Sequence, residues 1–326
     1  VVDIAQSLSI SAPVLQSDSG DLTVRSNYLR LGFNNDSFVT SDSAVPLGEI
    51  DPPVKYFSAE PGTGKARFEA AFIDLHGFTS LHNFGNDDMN TAAVQFLSAG
   101  DLRLRGVRAP SRISRNLDGA LIGESNILFQ ADRIYGSTLT DFLIKNELPG
   151  GVITFASNGA ATAAVPLSAG SELTVRSDVI HQNGRMYAPI GTISLDADSE
   201  LELGAGSLTS VTAADTTILF GRVEVGDWAF PFRDVRNNTV VFDAVAGSFS
   251  LPPHKRINLT ADGVVMSGGM EMPVGNLKIS AGAVLDVRSG GNLVATEFTP
   301  GPLGKTNILD SRLGNGTFAL IPDGDF

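Results

Sequence analysis

Histidine is scarce in this sequence, with four copies among 326 residues. His76 and His82 lie six residues apart near Asp74, whereas His181 and His254 stand far from them. A metal site needs three or four converging ligands with supporting contacts behind them. Two histidines do not supply these, so we interpret them as hydrogen-bonded residues of loops or corners. The sequence predicts no catalytic residue, no cofactor-binding residue and no metal ligand.

Carboxylates could support acid–base chemistry of another kind. Glycoside hydrolases use two acids about 5–9.5 Å apart, and equivalent residues on neighbouring parallel strands lie about 4.8 Å apart. If strands stack, Asp74 with Asp101, or Glu172 with Asp196, are candidates for such a pair. In a chain with a net charge of −13, solvated surface acids are the simpler interpretation.

Two ion-binding patterns are incomplete. Pro61-Gly-Thr-Gly-Lys65 resembles a phosphate loop, but Ala59 and Ala66 replace the glycine and the hydroxyl residue of that motif. Asp87-Asp88 and Asp196-Ala-Asp198 could hold an incidental Ca²⁺ ion. The glycine-rich nonapeptide of calcium-binding β-rolls is absent. We therefore expect no cofactor.

The aromatic residues fall into two groups. The chain has 19 phenylalanines, four tyrosines and one tryptophan. Phenylalanines on apolar strands are predicted to stack in the core: Phe129, Phe155 and Phe220. Trp228, Phe230 and Phe232 instead alternate within a proline-containing stretch. They are the candidate recognition surface for a carbohydrate or a protein partner, and a lid over the core is the alternative.

The elements that must position these residues are short strands that recur along the chain. A turn residue precedes an alternating apolar strand in the segments Gly20–Arg25, Gly100–Arg105, Gly170–Arg176, Gly275–Ile279 and Gly290–Val294. One such unit cannot bury its apolar side alone, whereas stacked copies can. The repeat therefore predicts a solenoid.

The spacing of the repeat supports a parallel β-helix. The apolar positions Leu102, Ile127, Ile153, Leu173 and Ile193 are separated by 25, 26, 20 and 20 residues. An antiparallel sandwich would need more Asn-Gly or Asp-Gly hairpin turns than the sequence contains. One segment, Thr140–Leu148, is predicted to be a short helix. Asn86–Leu97 is predicted to be a strand rather than a capped helix.

Composition excludes several classes of protein. An acidic chain does not suit nucleic acid, whose phosphates need a basic surface. No apolar run is long enough to suggest a membrane span. Without cysteine there is no disulfide, thiolate metal site or cysteine nucleophile.

Irregular stretches interrupt the repeat and divide the chain. We expect a solenoid over residues 1–296, with insertions at about 33–64 and 227–254. Residues 297–326 leave the pattern and are predicted to form a cap or strap that protects the last coil. Insertions on a solenoid are where recognition usually takes place. The first residue, Val1, indicates a piece of a longer protein.

The segment Gly100–Gly106 and the coils beginning at Gly20, Gly170 and Gly275 resemble the filamentous haemagglutinin-like exoproteins. Gly290–Pro302, followed by Phe318–Pro322, resembles a segment of their very long members. The resemblance implies a right-handed parallel β-helix in an extracellular bacterial fibre, exported by two-partner secretion through an outer-membrane transporter. It offers no catalytic residues. The Asn-Pro-Asn-Leu motif of the secretion domain is missing, which implies a segment of the fibre shaft.

We therefore expect a structural and adhesive segment of a fibre that serves adhesion, aggregation or biofilm cohesion. Its partners would be the transporter during export, and then a surface glycan, a surface protein or another copy of the chain. The alternatives are a β-helix enzyme that acts on polysaccharides, such as a lyase or a tailspike hydrolase, and a self-assembling fibre module.

Overall fold

The computed structural model describes residues 1–17, 19–33, 62–85, 92–107, 117–159, 164–224, 227–229, 232–233, 239–240, 255–267 and 270–296. This part of the chain consists of strands and connections, without a helix. The first strands are β1 (Val2–Ile10), β2 (Val14–Gln16), β3 (Leu22–Leu31), β4 (Ala66–His76), β5 (Phe78–His82), β6 (Val94–Ser98), β7 (Asp101–Arg105), β8 (Leu117–Gly123) and β9 (Ile127–Ala131).

The middle strands are β10 (Arg133–Gly136), β11 (Thr140–Asn146), β12 (Val152–Ser157), β13 (Glu172–Asn183), β14 (Arg185–Tyr187), β15 (Thr192–Leu203), β16 (Leu208–Ser210) and β17 (Thr217–Glu224). The last are β18 (Asp227–Ala229), β19 (Phe232–Arg233), β20 (Thr239–Val240), β21 (Arg256–Ala261), β22 (Val264–Ser267), β23 (Met270–Pro273), β24 (Asn276–Ile279), β25 (Val284–Asp286) and β26 (Asn292–Thr296).

Three parallel ladders hold most of these strands together. Ladder A runs β1–β3–β4–β6–β9–β12–β13–β15–β24. Ladder B runs β1–β3–β4–β7–β10–β14–β16–β25. Ladder C runs β2–β5–β8–β11–β13–β15–β21. Long strands serve two ladders in succession.

The chain visits the ladders in the fixed order A, B, C and then begins the next coil. Strands β6, β7 and β8 make one coil, and β9, β10 and β11 make the next. This is the pattern of a β-solenoid, because each strand pairs in parallel with its equivalent one coil further along. The predicted all-β, mostly parallel architecture is confirmed at this level.

Strict alternation along the strands builds the core. Leu173 and Val175 are buried while Glu172 is exposed, as the period of two in a strand requires. Four phenylalanine rings stack in line along ladder A, with centroids 5.1, 5.3 and 5.2 Å apart: Phe68, Phe96, Phe129 and Phe155. The predicted stacking of Phe129 and Phe155 is confirmed. Phe220 is buried on β17.

Two ladders skip a coil where the chain leaves the regular path. Strand β2 pairs directly with β5, so the stretch between β3 and β4 adds no strand to ladder C. Strand β10 pairs directly with β14, so the stretch between β12 and β13 adds none to ladder B. The second of these departures was not foreseen from the sequence.

Two sequence expectations are wrong. Thr140–Leu148 is not a helix, because β11 pairs in register with both β8 and β13 and buries Phe142 and Ile144 on one side.

The apolar positions that were used to measure the repeat spacing belong to different ladders. Leu102 pairs with Ile134 rather than with Ile127, and only the steps Ile127–Ile153 and Leu173–Ile193 join direct partners. Segments of similar sequence form all three sides of one coil. Sequence similarity between two segments therefore does not show that they belong to the same ladder.

The chain divides into two compact units. The first, Val1–Thr217 with Pro252–Asn292, contains the three ladders. The second, Ile218–Leu251 with Leu293–Phe326, contains a sheet of β17, β18 and β26 and the antiparallel pair β19–β20. Gly290–Val294, read as a further copy of the repeat, therefore does not join a ladder. Residues 297–326, and most of the predicted insertions, lie outside the described residues.

Candidate functional site

A group of interacting polar and aromatic side chains lies on ladder B, on the side of the sheet away from the core residues Leu29, Ile73 and Leu102. We call it the ladder B surface. Its members come from four successive coils: Tyr28, Arg30, Phe72, Asp74, His76, Asp101, Arg103, Arg105, Arg133 and Tyr135.

Asp74 is the centre of this surface and is fully buried. Its carboxylate accepts two hydrogen bonds from the Arg103 guanidinium, at 3.0 and 2.8 Å, and one from the Tyr28 hydroxyl at 2.9 Å. The ladder register creates this arrangement, because it places Asp74 directly between Arg30 and Arg103. A bidentate, charge-assisted pair of this kind satisfies a carboxylate that burial would otherwise destabilise.

His76 and Arg30 form the second contact of the surface. The Arg30 Nη2 lies 2.6 Å from the imidazole Nδ1 of His76. Burial of the ring, and then the positive charges of Arg30 and Arg105, lower the pKa of His76 to about 4. The imidazole is therefore neutral at pH 7 and accepts a hydrogen bond from Arg30.

The same pairing is repeated one coil further along. Arg133 donates to both oxygens of Asp101, at 2.8 and 2.5 Å, and these hydrogen bonds raise the pKa of Arg133. The guanidinium of Arg103 lies 5.3 Å from the ring centre of Phe72, and that of Arg133 lies 5.8 Å from the ring centre of Tyr135. The surface is thus a strip of arginines stacked on aromatic rings.

Chemically, this strip fixes neighbouring coils to one another. Burial is the main cause of the raised pKa values of Tyr28 and Tyr135, so both hydroxyls stay protonated at neutral pH. Asp74 and Asp101 are each held by an arginine of the next coil. Both acids therefore act as ion-pair partners between neighbouring coils.

Neither candidate pair of carboxylates is in register. Asp74 pairs in register with Arg103, and Asp101 with Arg133. Glu172 lies opposite Thr192, whereas Asp196 lies opposite Arg176 and contacts it at 3.5 Å. Opposite charges occupy neighbouring coils because like charges in direct register repel.

A group of aspartates lies at the corner where ladder C passes to ladder A. Asp178, Asp198 and Asp262 lie on successive coils and line a cavity of about 550 Å³. Burial, and then a hydrogen bond with Asp178, raise the pKa of Asp198. The Ca²⁺ candidate Asp196-Ala-Asp198 is thus divided between an arginine partner and an acidic one, and Asp87-Asp88 lies outside the described residues.

The predicted recognition residues fall in or beside short strands of the second unit. Trp228 lies on β18, opposite Val223 of β17. Phe232 lies on β19, opposite Val240. Phe230 is outside the described residues. The structure provides the backbone positions of Trp228 and Phe232, and recognition by the three aromatics stays a prediction.

The phosphate-loop pattern leads into a strand and not into a helix. Gly62–Lys65 directly precedes β4, and the carbonyl oxygen of Lys65 accepts a hydrogen bond from the backbone N–H of Leu22 at 2.7 Å. A phosphate loop needs a following helix whose N-terminus binds the phosphate. This segment therefore joins two coils.

The histidines have separate partners. His82 contacts Glu124 at 3.2 Å on ladder C, away from the Arg30 contact of His76. His254 lies outside the described residues. His181 lies beside Glu200 and Glu202, a convergence that sequence reasoning missed. The alternation in Glu200-Leu-Glu202 placed both acids on one side of a strand, but only the register shows which residue lies next to them.

No family model, no curated protein and no solved structure matches this chain. Among the strands and connections that the structure describes, there is no helix of the length and apolar character needed to cross a membrane.

Proposed function

We propose that this chain is a structural and adhesive segment of a bacterial fibre that is secreted or held at the cell surface, and that it is not an enzyme. The observation that carries the proposal is the stacking of coils along three parallel ladders. Backbone hydrogen bonds along the stack and a continuous apolar core give stiffness without disulfides. A stiff support is what a fibre needs in order to hold binding residues away from a cell.

The finer features belong to the same proposal. We expect the coils to be right-handed, because parallel connections within one sheet are right-handed in about 98% of cases. Residues 297–326 would act as the cap. Export would use an outer-membrane transporter of the two-partner type. The fibre would then contact a surface glycan or protein through Trp228, Phe230 and Phe232, and its acidic charge makes nucleic acid an unsuitable ligand.

Adhesion can be tested with beads that carry the chain in one orientation. The chain has no cysteine and Val1 is 86% exposed, so Val1→Cys gives a single attachment point. We expect coated beads to remain on epithelial or bacterial cells under flow, whereas beads coated with the core variant Leu173→Asp detach. Detachment of the intact chain at the rate of uncoated beads would contradict the adhesive role.

The recognition residues are tested in the same assay. Trp228→Ala and Phe232→Ala should each reduce bead retention without changing the unfolding of the ladders. The matched control is the Val1→Cys chain that also carries Tyr135→Phe, an aromatic change outside the proposed recognition residues. It keeps the aromatic ring on which Arg133 stacks. Equal retention by all four proteins would place recognition elsewhere on the chain.

Self-association is the second candidate, and the last coil favours it. Leu277, Ile279 and Leu285 are 44%, 54% and 41% exposed although they continue the core pattern of ladders A and B. A second copy that pairs with this edge would bury them. Sedimentation over a range of protein concentrations should then show oligomers that Ile279→Lys disperses. A constant monomer would contradict it.

The polysaccharide-active enzyme has weaker support. Asp178 and Asp198 line one cavity, whereas the candidate pairs named from the sequence face an arginine or a threonine of the next coil and not each other. Release of oligosaccharides from acidic glycans by the intact chain, lost in Asp198→Asn, would favour the enzyme over the fibre.

A further inference from the structure

Three side chains with metal-binding atoms converge on the outer side of ladder A. His181 of β13 lies in direct register with Glu202 of β15, and Glu200 precedes Glu202 by two residues on the same side. The ligand atoms of all three lie within 4.8 Å of one another. The Nε2 of His181 is 3.9 Å from the Oε1 of Glu200.

The core holds this group in place. Ile180, Leu201 and Leu203 alternate with the three residues and are almost completely buried. Their packing fixes the two strands and points the polar side chains outward. The side chains of His181, Glu200 and Glu202 are 33%, 39% and 22% exposed. The group is thus supported by a rigid sheet and still open to solvent, as a binding site must be.

We propose that His181, Glu200 and Glu202 form a binding site for a divalent first-row transition metal of the Zn²⁺ class. One imidazole nitrogen and two carboxylate oxygens are a ligand set that Zn²⁺ accepts, with water completing four-coordination. Ca²⁺ and Mg²⁺ prefer all-oxygen sites, so the imidazole selects against them. Small movements of the side chains from their present spacing would bring the ligands to metal distance. The site does not depend on the proposed function.

Lys278 of the next coil contacts one of the three proposed ligands. Its ammonium group lies 2.7 Å from the Oε1 of Glu202, and the Ser280 hydroxyl donates to the same oxygen at 3.5 Å. Because both contacts use Oε1 of Glu202, the oxygen that remains for the metal is Oε2. The positive charge of Lys278 opposes a second cation, so its removal should strengthen metal binding.

The test is calorimetric titration of the whole chain with ZnCl₂, together with NMR spectra of the ¹⁵N-labelled imidazoles. Only four histidines and no cysteine are present, so the ring signals are few and thiolate binding is excluded. We expect one Zn²⁺ per chain and a shift of the His181 ring signals alone. His181→Gln and Glu202→Gln should each weaken binding at least about 10-fold, as loss of supporting contacts already does at metal sites.

Two further variants keep the result interpretable. Asp198→Asn changes the acidic corner and should leave Zn²⁺ binding unchanged. Lys278→Met should bind Zn²⁺ about 2- to 5-fold more tightly, the value of an exposed charge pair, and misfolding cannot imitate a gain in affinity. Three results would overturn the proposal. They are absence of Zn²⁺ binding, an affinity of His181→Gln and Glu202→Gln equal to that of the unchanged chain, and a shift of the ring signals of another histidine in place of His181.

Discussion

Two segments of nearly the same sequence pattern have opposite surroundings. Gly100-Asp-Leu-Arg-Leu covers all of β7 except Arg105, and Gly275-Asn-Leu-Lys-Ile contains β24. Leu102 and Leu104 are 0% and 1% exposed, whereas Leu277 and Ile279 are 44% and 54% exposed. Strand β7 pairs with β4 and β10, while β24 has a single ladder partner, β15, among the described residues. Alternation makes a strand, and a neighbouring coil on each side makes it part of the core.

The difference has an energetic consequence. Complete burial of a leucine side chain stabilises a protein by about 1.5–3 kcal/mol relative to exposure, and β24 gains only part of this. Solenoid stability is a sum over coils and the contacts between neighbours. Interior coils should therefore unfold together, whereas the coil of β24 and β25 should open first.

A charge in the core should separate the two regions most clearly. Leu173 is 1% exposed, so Leu173→Asp buries an unpaired carboxylate and should destabilise the chain by at least about 5 kcal/mol. Leu277→Asp is the matched control at 44% exposure, with an expected cost of about 1 kcal/mol or less. Denaturant unfolding followed by circular dichroism measures both. Similar costs at the two sites would contradict the stacking of coils.

The charge pairs of the two regions should differ almost as much. Arg103→Met leaves the buried carboxylate of Asp74 without its main partner and should cost about 3–5 kcal/mol. Lys278→Met removes an exposed partner of Glu202 and should change the free energy of unfolding little by comparison. The double variant Asp74→Asn with Arg103→Met should recover part of the loss. Failure to recover any would mean that Arg103 stabilises the coil by packing and not by charge.

The stability of the ladder B surface should depend on pH through His76. Its pKa of about 4 lies below the ordinary 6.5, so the unfolded chain takes up the proton first. Stability is complete above pH 6.5 and declines by about 3 kcal/mol as the pH falls toward 4. Unfolding curves at several pH values should show this decline. It should be absent in His76→Asn and smaller in Arg30→Gln, which removes one of the charges that lower the pKa.

The smallest expected effect is at the acidic corner, and it has the opposite sign. Because the pKa of Asp198 is raised, its contribution to stability is greatest below pH 3.8 and is lost as the pH rises. Asp198→Asn should therefore stabilise the chain at pH 7, and the gain should shrink at low pH. Asp196→Asn is the control, because it removes the contact with Arg176 and should destabilise slightly.

Part of the fold was readable from the sequence. The alternation of Leu22 with Val24, and of Leu173 with Val175, correctly predicted strands with one buried side. The prediction of a helix at Thr140–Leu148 was wrong. The local sequence preference of this segment was overridden because β11 pairs with a neighbouring strand on each of its two edges. The acids of the ladder B surface were visible as residues, but their arginine partners were not, since Asp74 and Arg103 are 29 residues apart.

The amino-acid sequence by itself determined that this chain forms short alternating strands whose apolar sides must be covered by other copies. The tertiary structure alone decided which copies meet, because stretches of unequal length between strands make β2 pair with β5 and β10 pair with β14. The strand register then determined which charged side chains lie opposite one another, as in Asp74 with Arg103. The physical reason is that alternation is a local property of the backbone, whereas pairing depends on which coil the chain reaches next.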